Sequence, residues 1–162
     1  MLLYVDSQYT SPYAMSVFVA LKEKNIPFEL RTIDLENGAN HGPEYATASL
    51  TGRVPTLVDG NFSLSESSAI TEYLDEGHPG VALYPSDPAA KARARQVQAW
   101  IRSDLLPIRQ ERSTIVVFYR PSHVPLSPAA EIASRKLFRV SEALLEYNGD
   151  HLFGSWSIAD VD

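Results

Sequence analysis

Residues 53–73 read RVPTLVDGNFSLSESSAITEY, and the residue types in that order place two kinds of backbone group near one point. Val54-Pro55 stands where a strand should begin, and an X-Pro bond adopts cis at a cost of only about 0.5–1 kcal/mol, far below that of other peptide bonds. A cis turn there would leave the Val54 amide and carbonyl facing outward. Ser65-Glu66-Ser67-Ser68 then supplies hydroxyls and a carboxylate of the kind that cap helix starts. A helix N-terminus with free amides, beside an exposed strand-like edge, suits a carboxylate and an extended peptide. A small acidic peptide offers both.

Such groups work only if the surrounding elements hold them. Thr56-Leu57-Val58 reads as a strand, Asp59-Gly60 as a two-residue hairpin turn that wants positive φ, and Phe62-Ser63-Leu64 as the returning strand. Ile70, Tyr73 and Leu74 share a face of the helix that follows. Upstream, Leu2-Leu3-Tyr4-Val5 is a brief apolar run, a buried strand expected at the sheet centre. Ser11 caps a helix with Pro12 in its first turn, where the missing N–H costs nothing. Met15, Val19 and Leu21 continue that helix, Asn25-Ile26-Pro27 ends it, and residues 28–33 form a second strand. Strand, helix, strand predicts a parallel pair with a right-handed crossover, and the hairpin adds an antiparallel pair. Residues 36–52, polar and glycine-rich, read as a mobile loop with at most a short helix, of the kind that closes ligand sites.

Arg53-Val54-Pro55-Thr56-Leu57 followed by Leu64-Ser65-Glu66-Ser67-Ser68-Ala69-Ile70 resembles the glutathione site of the glutathione S-transferase family, and the order βαβ then ββα resembles its thioredoxin-like domain. The resemblance implies an α/β thioredoxin-like N-terminal domain over residues 1–77, a linker over 78–88 and an all-α C-terminal domain over 89–162. It implies glutathione as co-substrate and no metal. In that family the residue at Val54 bonds the cysteinyl backbone of glutathione and the Glu66-Ser67 pair grips the γ-glutamyl group. Arg53 and Pro55 come with the same motif.

A glutathione thiol is mostly protonated at neutral pH, since an unperturbed thiol has a pKa of about 8.5 and only the thiolate is a good nucleophile. The family's bacterial, serine-type members carry a catalytic serine where this chain has Ser11, whose hydroxyl would donate to the sulfur at the positive end of a helix dipole. Ser7 and Thr10 in the same loop stay open as donors, as does Tyr9 or Tyr4 if the chain is tyrosine-type, although Tyr4 reads as strand core. Conjugation of glutathione to a small electrophile is implied, with peroxide reduction as a related activity. The competing class is a non-catalytic glutathione-fold binding module or stress-response interaction protein. A homodimer is implied by analogy.

A formal net charge of -6 with no long basic run argues against nucleic acid or anionic membrane as partner. No apolar run approaches a membrane span, and MLLYVD lacks a signal peptide's charged start, so a cytoplasmic location is expected. The chain has no cysteine, which removes disulfides, thiolate metal sites and any protein thiol nucleophile. His41, His78, His123 and His151 lack ligand spacing.

In the second half, Ala94, Val97, Ile101, Leu105 and Ile108 mark one long helix over residues 89–112, bent by Pro107 in its final turns. Ala133, Leu137, Val140, Leu144 and Tyr147 mark another over 129–147, and the two stripes should pack together. Arg102, Arg109 and Arg112 read as a solvated stripe or as holders of a substrate carboxylate. The apolar run Ile115-Val116-Val117-Phe118-Tyr119 reads as a packed connection or as an apolar wall for a substrate. Ser157-Ile158-Ala159-Asp160 is a capping box, and the resemblance places there the start of a buried central helix. The chain therefore reads as truncated within its second domain.

Overall fold

The computed structural model describes residues 1–162, with the side chains of all but Tyr147 and Asn148. Two compact units divide it: Met1–Leu83 with Val161–Asp162, and Tyr84–Asp160.

The first unit contains β1 (Leu2–Asp6), α1 (Pro12–Glu23), β2 (Glu29–Ile33), α2 (Pro43–Ala46), β3 (Thr56–Asp59), β4 (Phe62–Ser65) and α3 (Ser67–Gly77). The strands lie in the order β2-β1-β3-β4. β1 runs parallel to β2 and antiparallel to β3, and β3 and β4 form the hairpin. This is the thioredoxin-like arrangement, with β1 central as its apolar run predicts. Leu3 and Leu57 of the sheet are buried with Val17 and Leu21 of α1 and Ile70 and Leu74 of α3. Ser11 caps α1, its side chain accepting from the Ala14 amide, and Pro12 occupies the first turn. The Val54-Pro55 bond is cis.

Three details differ from the expectation. Asp59 pairs with Phe62, so the turn is Gly60-Asn61, one residue later than read, with Gly60 at φ 57°. Secondly, α3 has no side-chain N-cap: Glu66 occupies that position at φ 74°, ψ 115°, and its carboxylate makes no capping bond. Finally, Tyr73 does not join Ile70 and Leu74 in the core; its hydroxyl donates to Asp59 Oδ2 at 2.9 Å, and its ring meets Phe62 and His78.

Ser16 in α1 is fully buried, and its Oγ has no hydrogen-bond partner among the described residues. An unsatisfied buried polar group costs about 1–3 kcal/mol. Ser16→Ala removes that cost along with the hydroxyl, so denaturant unfolding of the variant should give equal or greater stability. A loss of more than about 1 kcal/mol would show that the hydroxyl contributes a bond in solution.

The second unit is helical: α4 (Pro88–Asp104), α5 (Leu106–Glu111), α6 (Thr114–Phe118), α7 (Pro128–Asn148) and a 3-10 turn, Ile158–Asp160. The single helix expected over 89–112 is two. The break falls at Leu105, because Pro107 has no N–H for the Ser103 carbonyl and is tolerated only in the first turn of a new helix. The pairing of the two long stripes is also only partial. α7 packs on α5, and α4 packs on the 158–160 turn, where Ile158 and Ala159 are buried. Between α4 and α7 runs a groove of about 450 Å³ lined by Val97, Trp100, Val140, Leu144 and Lys136, and Lys136 pairs with Asp104. The place of Tyr147 in the stripe lies outside the described side chains.

Residues 115–118 are helical in α6 and do not pack as an interior connection: Val117, Phe118 and Tyr119 are 61%, 66% and 61% exposed. The capping box is half formed. Asp160 accepts from the Ser157 amide at 2.7 Å, but the Ser157 hydroxyl donates to the same carboxylate and leaves the third amide to the Ser157 carbonyl.

Candidate functional site

Sheet register brings the chemistry together. Tyr4 pairs with Thr56, and Thr56 with Ser65, so β1 leaves the sheet at the edge where β3 begins and β4 ends. The loop carrying Ser11, the Val54-Pro55 turn and the Glu66-Ser67 helix start all emerge there. It is the carboxyl end of the parallel pair, the edge at which α/β sheets commonly hold ligands.

The loop before α1 is tied down by Asp6. This carboxylate is 2% exposed and accepts from the Thr10 amide at 2.7 Å, the Thr10 hydroxyl at 3.0 Å and the Ser11 amide at 3.0 Å. Those bonds sort the candidate donors. The Thr10 proton is committed to Asp6, and the Ser7 hydroxyl donates to Gln8 Oε1 at 3.2 Å. Ser11 Oγ instead accepts from the Ala14 amide at 3.2 Å, and among the described residues its own proton has no acceptor. A hydroxyl that accepts from a helix amide is polarised toward donating. Tyr9 is exposed at φ 55°. Tyr4 stacks edge-on against Tyr45 with ring centroids 5.3 Å apart.

The other candidates lie across the same edge. Glu66 is exposed and holds its positive φ immediately before α3. Non-glycine residues held there cost about 1–3 kcal/mol and cluster where ligands are gripped. Ser67 is buried at the helix start. The Ser68 and Ala69 amides have no acceptor among the described residues, which leaves the positive end of an eleven-residue helix open to an anion. Val54 makes no main-chain hydrogen bond among the described residues, so both its backbone groups are available. Arg53 has an exposed side chain and a carbonyl that is anything but free.

The Arg53 carbonyl is the focus of a buried hydroxyl cluster that the sequence reading missed. Tyr45 Oη donates to it at 2.8 Å, Thr56 Oγ1 at 3.0 Å and Ser49 Oγ at 3.2 Å. Ser65 Oγ completes the cluster, 2.9 Å from Ser49 Oγ and 3.0 Å from Thr56 Oγ1. Every one of these residues is at most 6% exposed. Burial pushes the Tyr45 phenol above its ordinary pKa, which keeps it a protonated donor. Correct hairpin register was the missing signal, because a turn at 60–61 sets Thr56 opposite Ser65.

The three arginines do structural work. Arg109 donates to the Ile101 and Arg102 carbonyls, Arg102 to the Gln98 carbonyl and Arg112 to the Glu111 and Val124 carbonyls. Arg109 and Arg112 satisfy helix-end and loop carbonyls, while the Gln98 carbonyl lies inside α4. Among the described residues no group of three or more His, Asp or Glu could hold a metal ion, and no helix is long and apolar enough to cross a membrane.

Residues 10–76 match the family described as glutathione S-transferase, N-terminal domain, and residues 87–162 match glutathione S-transferase, C-terminal domain. Glutathione S-transferase theta-2 of Homo sapiens is 41% identical over 99 residues, 60% of this chain and 40% of the relative. Maleylacetoacetate isomerase of Pseudomonas aeruginosa is 37% identical over 111 residues, 67% of this chain and 51% of that protein. The matched stretch thus spans less than two thirds of either curated relative. Among solved structures, a glutathione transferase homolog from Burkholderia with bound glutathione aligns at a TM-score of 0.81 and 44% identity, covering 99% of this chain and 75% of that one.

Proposed function

We propose, from the premise that this chain belongs to the glutathione S-transferase family, that it binds glutathione at the sheet edge and delivers it as a thiolate to a small electrophile. The observation that carries this reading is the Ser11 hydroxyl, an acceptor from the Ala14 amide with its proton unclaimed, at the edge shared by Val54 and Glu66-Ser67. Val54 offers an amide and a carbonyl to the cysteinyl backbone, with Arg53 and Pro55 shaping the turn. Glu66 faces the γ-glutamyl ammonium, and Ser67 with the open α3 amides faces its carboxylate. Ser11 donates to the sulfur and lowers the thiol pKa. The sulfur forms a bond to the electrophilic carbon, and the leaving group departs with its electron pair.

The same reading includes the division into residues 1–77, 78–88 and 89–162, a homodimer, a cytoplasmic location, and reduction of peroxides by glutathione as a side activity. A second reading, glutathione-dependent isomerisation of an unsaturated acid, is favoured by the identity to the Pseudomonas aeruginosa isomerase. There the thiolate adds to the double bond and leaves again, so glutathione is not consumed. Retention on immobilised glutathione, followed by a panel of aryl halides, peroxides and cis-unsaturated diacids, separates these possibilities. Failure of the folded protein to be retained would end the reading. Retention without turnover on the whole panel would favour a binding module.

A further inference from the structure

We infer that the buried hydroxyls of Tyr45, Ser49, Thr56 and Ser65 are positioning residues that lock the two arms of the glutathione site to each other. The inference rests on the glutathione reading above and deepens it. Ser65 immediately precedes Glu66, and Arg53 immediately precedes Val54. One arm therefore starts from the Ser65 backbone and the other from the Arg53 carbonyl, and the cluster joins these two points through Thr56 and Ser49.

The chain alone would not hold them so. Ser65 and Thr56 face each other across the hairpin, but Arg53 lies beyond the end of β3, outside the ladder. Its carbonyl is fixed by side chains from the α2 region: Tyr45 of α2 and Ser49 just after it. The Tyr45 hydroxyl also reaches Thr56 Oγ1 at 3.0 Å, and Thr56 Oγ1 lies 2.9 Å from Ser49 Oγ. Each oxygen thus has more than one partner, and the few available protons can be passed around without moving the oxygens. Buried away from water, each lost bond leaves a neighbour unsatisfied, so the cluster behaves as a unit. A second tie supports it, the Asn40 side chain donating to the Gly52 carbonyl at 2.9 Å. A ligand that touches Val54 on one side and Glu66-Ser67 on the other needs the spacing between them preset, and this cluster presets it. Ser11 lies on a different support, the Asp6 carboxylate, so affinity and thiolate stabilisation have separate foundations.

Thr56→Val is close to isosteric and removes the central hydroxyl, and Thr56→Ser restores it. Calorimetry with glutathione should show a Kd raised about tenfold or more in Thr56→Val, corresponding to one lost bond to a buried group, with recovery in Thr56→Ser. The pKa of the bound thiol should stay that of the wild-type protein. Tyr45→Phe provides the same test at the rim of the cluster should Thr56→Val fold poorly. Leu57→Ala serves as control: it destabilises the neighbouring core position without touching the cluster. If its Kd rises as much as that of the cluster variants, the hydroxyls support stability only and the inference falls. It also falls if wild-type protein binds glutathione and the folded cluster variants bind it equally well. No binding by the folded wild-type protein overturns the glutathione reading itself, and the inference with it.

Discussion

Ser11→Ala should raise the pKa of bound glutathione by about one to two units while changing its affinity little. The hydroxyl gives a single charge-assisted hydrogen bond to sulfur, worth roughly 1.5–3 kcal/mol, and one pKa unit is about 1.36 kcal/mol. The sign follows from which form the bond favours. A donor stabilises the thiolate and depresses the thiol pKa, so its loss raises that pKa and leaves more of the ligand as thiol at neutral pH. Turnover near pH 7 should fall by about tenfold or more and recover as pH rises through the new pKa. Stopped-flow rates over a pH series would measure this. Loss of the α1 cap to Ala14 also removes about 1 kcal/mol of stability. Ser11→Gly tolerates the cap position better and should show the same pKa change. An unmoved pH profile in both variants, with a moved one in Tyr9→Phe, would transfer the role to Tyr9.

Replacing Glu66 and Ser67 together with alanine should cost glutathione affinity about a hundredfold or more. Each would lose a bond to a charged group, roughly 1.5–3 kcal/mol apiece, at about 1.4 kcal/mol per tenfold. Glu66 adds a complication, because alanine inherits the φ of 74° without the ligand contact that makes it useful. Glu66→Gly relieves the backbone and loses the same carboxylate. Equal affinity losses in Glu66→Gly and Glu66→Ala would assign the effect to the carboxylate. Preserved affinity in the folded double variant would remove both residues from the site.

Much of the positioning was legible in the residues, and the failures have physical causes. Ser11-Pro12, Val54-Pro55 and the alternation of strands and helix follow from local chemistry that tertiary packing does not override. The hairpin turn was misplaced by one residue because Asp59-Gly60 carries the commonest turn signal, yet Asp59 stays in the ladder and its carboxylate receives the Tyr73 hydroxyl. That slip sets Thr56 against Ser63 rather than Ser65, and it hid the hydroxyl cluster. Glu66 read as a capping group because acidic residues favour helix starts. Its positive φ falls at the single residue between the end of β4 and the start of α3, a position that no local residue pattern marks. In the helical unit Ala94, Val97, Ile101 and Ala133 are buried as the stripes predict, but Pro107 ended a helix where a bend was expected, since it offers the Ser103 carbonyl no N–H. The arginines, read as a solvated stripe or as holders of a substrate carboxylate, donate to main-chain carbonyls instead, and Arg109 serves the Ile101 and Arg102 carbonyls that this break exposes.

The most direct measurement is the ultraviolet thiolate absorbance of glutathione titrated with pH in the presence of the wild-type protein. A site that combines the Ser11 donor with the α1 N-terminus predicts a bound thiol that ionises well below the ordinary value of about 8.5, so that thiolate predominates near neutrality. A bound thiol that titrates as it does free in solution would contradict the account.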